Sequence, residues 1–293
     1  WDLIPKMALA STTVMPGSNP VFGLNTLGGA LSLQTKDGRS HPGTTVQATY
    51  GSDVRRAVEV ERGGQSATKG LHWYLAGTLF GEDGWRDDSP TDVRQVFGKI
   101  GWERNRGSVA VSVGHANNSL TGNGLQDFRL LDNDYAGIYT KPDTTDNRST
   151  LLNVSSRYRL GAGLSLLTHA YYRDIRTETL NGDINEESLD QSLYQPGAAE
   201  RAALAAAGFG TIPASGLDAG NTSFPSLRCI GNALLNDEPS EKCNGLINLT
   251  STDQHNGGVS GQVSHRRVMK GSENVLVVGA AFAPGLFAPV GIV

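Results

Sequence analysis

The 293-residue chain has no excess of basic residues, since 25 lysines and arginines stand against 29 aspartates and glutamates and give a formal net charge of −4. Proteins that bind nucleic acid normally carry a basic surface, so we expect no nucleic-acid partner. Apolar residues make up only 38% of the chain and charged residues only 18%. The first fraction is low for a packed globule and the second is low for a disordered chain, whereas both suit a barrel with a wet interior.

The usual motifs of catalysis and cofactor binding are also missing. The sequence contains no Gly-x-Ser-x-Gly elbow and no His-Glu-x-x-His pair. Gly23 and Gly28 have the spacing of a phosphate loop, but Gly29 and Ala30 follow where Lys-Ser/Thr is needed. Six histidines are scattered without ligand spacing: His41, His72, His115, His169, His255 and His265. We therefore expect a protein that is not an enzyme and has no cofactor or metal.

One acidic cluster leaves two interpretations open. It consists of Glu82, Asp83, Asp87 and Asp88. These carboxylates could hold calcium or transfer protons, but a solvated acidic loop is the favoured interpretation, because metal sites need convergent oxygens that a sequence alone does not reveal.

Cysteine is scarce, with Cys229 and Cys243 in one polar region as the only two. Their spacing suits a disulfide formed in an oxidising compartment, which would pin residues 230–242. Metal binding is the weaker alternative, since two thiols without nearby histidines do not complete a tetrahedral site. In the same region, the proline, alanines and glycine of residues 196–208 predict a short helix.

From residue 44 onward, segments of alternating apolar and polar residues predict about nine β-strands. The expected strands cover 44–50, 54–62, 71–82, 93–104, 108–117, 150–160, 164–177, 255–268 and 274–282. In the clearest segment, Leu152, Val154 and Leu160 share one face, and Arg157 and Arg159 lie on the other. The alternation alone does not separate a soluble sandwich from a membrane barrel with its polar face inside.

The lengths of the connections favour the barrel. After residue 71, brief connections at 105–107, 161–163 and 269–273 alternate with long ones at 83–92, 118–149 and 178–254. Outer-membrane barrels have this pattern of short periplasmic turns and long external loops. The start is an exception, because the same order puts the tight turn 51–53 on the outer rim and the longer connection 63–70 on the inner rim.

The uncharged stretch 275–293 is long enough for a transmembrane helix. Gly279, Pro284, Pro289 and several valines disfavour a helix there. We therefore predict a final strand at 274–282 followed by a tail.

A motif rich in turn-forming residues precedes the first of these strands. It consists of Pro16, Gly17, Asn19, Pro20, Phe22, Gly23, Asn25, Gly28 and Gly29. Together with the strand-like residues 30–35, this segment resembles the closing part of the plug domain of TonB-dependent outer-membrane receptors. Residues 81–90 are similar to the first strands and loops of the same family. The resemblance implies an all-β fold, a partial antiparallel transmembrane β-barrel at 41–293 with the end of a plug domain at 1–40.

The resemblance also implies a function. Such a receptor lies in the outer membrane of a Gram-negative cell, contacts lipid, and takes up a scarce nutrient such as a ferric siderophore when the TonB complex acts on an N-terminal box. The sequence begins near the end of the plug, shows no signal peptide or TonB box, and has fewer than half of about 22 strands, so we expect a fragment. The alternative is a passive porin or surface adhesin, which would have no plug segment.

Overall fold

The computed structural model describes residues 3–17, 29–68, 70–122, 124–126, 131–185, 193–218, 220–222, 226–237, 243, 245–269, 272–282, 285–287 and 291–292. Within them the fold is all-β, with two short α-helices and one 3₁₀ turn at Lys6–Ala8. The strands form two sheets, a two-stranded sheet near the N-terminus and an eleven-stranded antiparallel sheet.

The described residues form thirteen strands. Their bounds are β1 Leu9–Pro16, β2 Gly29–Thr35, β3 Gly43–Tyr50, β4 Arg56–Gln65, β5 Leu71–Glu82, β6 Thr91–Arg104, β7 Gly107–Thr121, β8 Asp143–Gly161, β9 Leu164–Ile184, β10 Gly245–Met269, β11 Ser272–Phe282, β12 Gly285–Phe287 and β13 Gly291–Ile292. We call the β1–β2 pair the hairpin and the sheet β3–β13 the wall. Each strand from β3 to β11 pairs with the next along the chain, and β12 and β13 pair with β10.

The nine strands predicted from alternation are confirmed as β3 to β11. The predicted strand at 274–282, favoured over a helix, is β11. The short helix predicted within 196–208 is α1, Ala198–Ala206, and a second helix, α2, covers Leu227–Leu235. Among the described residues β3 and β11 are not paired with each other, so the wall is an open part of a barrel.

Strand pairing gives the wall two different faces, because residues directly opposite each other in a ladder point to the same side. Starting from Trp73, the successive partners are Ile100, Val111, Val154, Ala170 and Val259. Starting from Tyr74, they are Lys99, Ser112, Asn153, Tyr171 and Gly258. We call the first side the outer face and the second the inner face. The outer face is apolar and the inner face is mixed and polar.

Apolar side chains on the outer face are open to the surroundings. Leu75 and Ile100 are each 52% exposed and Leu152 is 38% exposed. From Leu71 to Leu79 on β5, the outer positions span roughly 26 Å along the strand, or about 20 Å at a usual barrel tilt of about 40°. A continuous apolar surface of this kind is typical of contact with lipid.

Aromatic side chains edge this apolar band at the rim that carries the short turns. Trp73, Trp102 and Tyr158 lie on the outer face within a few residues of the strand ends. Aromatic rings at this level are the interfacial girdle of membrane barrels.

The two exceptional connections occupy the rims that the sequence order assigns to them. The turn between β3 and β4 is closed by hydrogen bonds from Gly51 N to Arg55 O (2.9 Å) and from Arg55 N to Ser52 O (3.0 Å). Asp83, in the loop after β5, donates its amide to Asp53 O at 2.9 Å. The tight turn therefore lies beside the first long loop, on the rim of the long loops.

Among the described residues, no helix has the length and apolar character needed to cross a bilayer.

An arginine on the outer face should harm folding in a membrane far more than an arginine beside it on the inner face. We expect Leu152→Arg to lower the free energy of unfolding by about 2–4 kcal/mol when the chain is folded in lipid vesicles. Asn153→Arg, one residue along the same strand, should cost much less because its side faces the polar interior. Urea titration of both variants measures the difference, and equal losses would reject the assignment of the two faces.

Candidate functional site

The two strands of the hairpin are paired with each other along their length. Pro16 ends β1 opposite Gly29, the first residue of β2. Gly29 has a φ of +135°, and a Cβ there would lie 2.6 Å from Met15 O, so only glycine fits. Gly17 also has a positive φ, +90°. The other residues of the predicted plug motif lie outside the described residues: Asn19, Pro20, Phe22, Gly23, Asn25 and Gly28.

The hairpin end of the chain packs on the inner face of the wall through a small apolar core. Ala8 is fully buried against Tyr74, Ala76 and Phe97, which are 1–2% exposed. The rings of Tyr74 and Phe97 meet at 6.4 Å and 57°. Ile4 and Met7 pack against the same core. Burial of one large side chain contributes about 1.5–3 kcal/mol, so this contact supplies much of the attachment.

Polar contacts surround the core. The Tyr74 hydroxyl donates a hydrogen bond to Met7 O at 3.0 Å and also contacts the Glu61 carboxylate. Lys36 Nζ lies 2.7 Å from Glu61 Oε2, and the side chains are only 17% and 15% exposed. Lys99 Nζ donates to Thr35 Oγ1 at 3.0 Å and to Thr35 O at 3.3 Å. Charge-assisted hydrogen bonds in a partly dry contact are the stronger kind.

The link between β2 and β3 carries a second charged group. Asp37 accepts hydrogen bonds from the amides of Arg39 (2.8 Å) and Ser40 (3.1 Å) and from the Arg39 guanidinium (3.2 Å). Arg39 also pairs with Glu103 at the end of β6. Burial raises the pKa of Asp37, but these hydrogen bonds outweigh it and hold the pKa well below its usual range. A Cβ at Gly38 would lie 2.1 Å from Trp73 O, so the link runs close against the wall.

Taken together, residues 7–8 and 35–39 attach this end of the chain to three wall strands. Glu61 is on β4, Tyr74 on β5, and Lys99 and Glu103 on β6. The contacts of residues 35–39 are largely ionic and hydrogen-bonded, so water can replace them without exposing much apolar surface. The contact of Ala8 with Tyr74 and Phe97 is apolar by comparison.

Sequence reasoning did not single out these partners. Glu61 and Lys99 are charged residues within strands, and each alternates with an apolar outer residue, Val60 or Ile100. A charged residue at an inner position of a strand was the signal in the sequence that could have pointed to Glu61 and Lys99. It did not identify the partner, because Lys36 and Thr35 lie 25 and 64 residues away in sequence.

The loops at the opposite rim are tied together by Arg86. Its guanidinium donates to Gly137 O at 2.8 Å and Gly124 O at 3.0 Å, and it stacks on Trp85 at 5.5 Å. Trp85 in turn contacts Tyr135 at 5.3 Å, and the two rings are 51% and 71% exposed. The first two long loops therefore present joined aromatic side chains to the outside.

The acidic cluster is divided between separate partners. Glu82 lies 2.7 Å from Arg55, and Asp88 pairs with Lys141. Within the described ranges, no group of three or more histidine, cysteine or acidic side chains is arranged to hold a metal ion. Glu82 and Asp88 therefore each take part in a partly exposed ion pair.

The longest loop has a small core of its own. Helices α1 and α2 pack together around the fully buried Leu204, and Glu200 lies 3.4 Å from Arg228. Cys229 and Cys243 are joined by a disulfide across a sequence separation of 14 residues. Asn185 Nδ2 donates to Cys243 O at 2.8 Å, which ties this loop back to the end of β9.

Solved structures share this fold, although no protein-family model and no curated protein matches the chain. The ferripyoverdine receptor of the outer membrane of Pseudomonas aeruginosa, bound to ferripyoverdine, is 11% identical with a TM-score of 0.64, over 94% of this chain and 32% of that chain. The siderophore receptor PiuA from Acinetobacter baumannii is 10% identical with a TM-score of 0.63, over 94% and 35%. The ferric-catecholate import receptor Fiu from E. coli is 10% identical with a TM-score of 0.64, over 97% and 42%.

These likenesses show the fold alone, which is similar to part of the β-barrel of these outer-membrane receptors. The chain spans between 32% and 42% of the length of these neighbours.

The Lys36–Glu61 pair should contribute to stability as a coupled unit. In a double-mutant cycle with Lys36→Met and Glu61→Gln, we expect a coupling of about 1–3 kcal/mol, because both groups are largely shielded from water. Chemical unfolding of the folded chain measures it. The control cycle uses Lys141→Met and Asp88→Asn, an exposed pair that should show no measurable coupling. Similar coupling in both cycles would contradict a special role for the inner pair.

Asp37 should make the free energy of unfolding depend on pH in the acid range. Its pKa is lower in the folded chain than the unfolded value of about 4, so the charged carboxylate stabilises the fold above that pH and this contribution is lost as pH falls below it. We expect Asp37→Asn to cost about 1 kcal/mol at neutral pH, a modest value because Arg39 is partly exposed. The difference between wild type and variant should shrink toward acid. A difference that stays constant between pH values of about 7 and 3 would show that Asp37 does not act through its charge.

Proposed function

We propose that this chain is the plug-end and first-strand part of a TonB-dependent outer-membrane receptor that takes up a scarce nutrient, with a ferric siderophore as the substrate class. It acts as a transport receptor and carries out no catalysis. The Pseudomonas neighbour is described as an outer-membrane receptor bound to ferripyoverdine, and Fiu as a ferric-catecholate import receptor. Those descriptions support the substrate class but do not identify the ligand of this chain.

The observation that carries the proposal is the hairpin on the inner face of a wall whose outer face is apolar. Ala8 is buried against the inner-face residues Tyr74 and Phe97, while Leu75 and Ile100 on the other side are half exposed. A segment held inside a lipid-facing barrel blocks free diffusion and therefore needs an energy source to open. In the proposal, the TonB complex supplies it by pulling on the chain before the hairpin.

The proposed domains follow the same division. Residues 1–40 form the end of the plug, and residues 41–293 form the barrel wall and its external loops. Ionic contacts of Lys36 and Arg39 with the wall support a plug that stays in place at rest and moves under load. On this assignment the loops that carry Trp85 and the disulfide loop face the outside, where a nutrient arrives.

The passive porin or adhesin has less support. A porin interior has to stay open to solutes, whereas residues 4–8, just before the hairpin, bury several wall residues on the inner face. An adhesin needs no such segment at all. The packing of residues 4–8 and 35–39 on the inner face therefore favours energised uptake.

Disruption of the gene that encodes this chain should abolish uptake of one ferric chelate under iron limitation. The measurement is accumulation of radiolabelled iron from a panel of siderophores, in cells with and without the gene and with and without TonB. We expect one chelate to lose uptake equally in both disrupted strains. Uptake that needs this gene but not TonB would support the passive porin instead, and unchanged uptake of every chelate would reject a role in iron acquisition.

A further inference from the structure

A cavity of about 440 Å³ lies at the turn rim, between the hairpin and the inner face of β5 to β8. The hairpin contributes Gln34, and the link after it contributes Asp37 and Arg39. The wall contributes inner-face residues such as His72 and Ser155. The hairpin thus closes one side of a space whose other sides are formed by the wall, including Leu167 of β9 and the turn at 105–107.

The lining of this cavity is strongly cationic. Six basic side chains line it: Arg39, Lys99, Arg104, Arg106, Arg157 and Arg159. Asp37 and Glu103 are the acidic residues of the lining, and both already bind Arg39. The other four arginines have no ion pair within the part of the chain that the structure describes. The cavity therefore has positive charge that the protein does not neutralise.

The lining also includes a buried histidine. His72 lines the cavity and is only 4% exposed. Its Nδ1 has no hydrogen-bond partner. The ring lies over Gly101, where a Cβ would come within 2.3 Å of it, so the ring position depends on that glycine. The Nδ1 atom is closed off from the open space, so His72 shapes the wall of the cavity while the basic residues supply its charge.

We propose that this cavity binds a small polyvalent anion that carries carboxylate or phosphate groups. Guanidinium groups match both kinds of oxyanion with paired hydrogen bonds, and Arg157 and Arg159 stand next to each other on the inner face of β8. Lys99 adds a point charge from β6. The site is on the opposite rim from the long loops, and it does not depend on the uptake function proposed above.

The location of this site makes anion binding depend on the position of the hairpin. Part of its lining, Gln34 and Arg39, belongs to the hairpin and its link, and the rest belongs to the wall. Movement of the hairpin would therefore open the cavity and separate the cations from one another. An anion bound there stabilises the closed arrangement, because it neutralises charges that the hairpin and the wall bring together.

Calorimetric titration tests the proposal with the whole chain folded in an uncharged detergent, using citrate as the carboxylate probe and inorganic pyrophosphate as the phosphate probe. We expect at least one anion to bind at low salt, and its affinity to fall as salt rises. The double variant Arg157→Gln/Arg159→Gln should weaken that binding by about tenfold or more. Sorbitol, which is uncharged, should not bind.

A matched control separates the site from general surface charge. Arg148→Gln changes the same residue type on the same strand, but Arg148 lies at the other end of β8 and does not line the cavity. The affinity of the Arg148→Gln variant for the anion should stay within about twofold of the wild-type affinity. If the double variant does not fold, judged by circular dichroism, Arg106→Gln in the exposed turn takes its place. Absence of binding by both anions, or an equal effect of Arg148→Gln, overturns the proposal.

Discussion

Backbone hydrogen bonding is the constraint on which the rest of this structure depends. A peptide group without a partner in hydrocarbon costs several kcal/mol, so a chain that crosses lipid as strands has to pair every one of them. From β4 to β10 each strand is paired on both sides along most of its length. Once the strands are paired, successive side chains along each strand necessarily point to opposite faces of the sheet.

The two faces of the wall therefore carry different kinds of side chain. On β6, the neighbours Lys99 and Ile100 point to opposite sides, one toward Thr35 of the hairpin and one outward. A lysine that faced hydrocarbon would be costly, but on the inner face it finds oxygen acceptors. The low apolar fraction of the sequence follows directly, because only half of each strand has to suit lipid.

Alternation predicted the strands well wherever both faces are constrained. Strand β5 has the expected bounds, 71–82, since apolar and inner residues alternate along most of it. Strand β8 was expected at 150–160 but covers Asp143–Gly161, and β10 was expected at 255–268 but covers Gly245–Met269. Their added residues are mostly polar and lie beyond the apolar band. They are strands because the neighbouring strands offer ladders there, which a single-segment pattern does not reveal.

Contacts between the hairpin and the wall were beyond sequence reasoning for a different reason. Lys36 reaches Glu61 and Arg39 reaches Glu103 only because the curvature of the sheet and the close approach at Gly38 bring distant segments together. These contacts join the hairpin to β4 and β6 within four residues of chain. Because these contacts are polar, water can replace their protein partners without exposing apolar surface, while the ladders of the wall keep their hydrogen bonds.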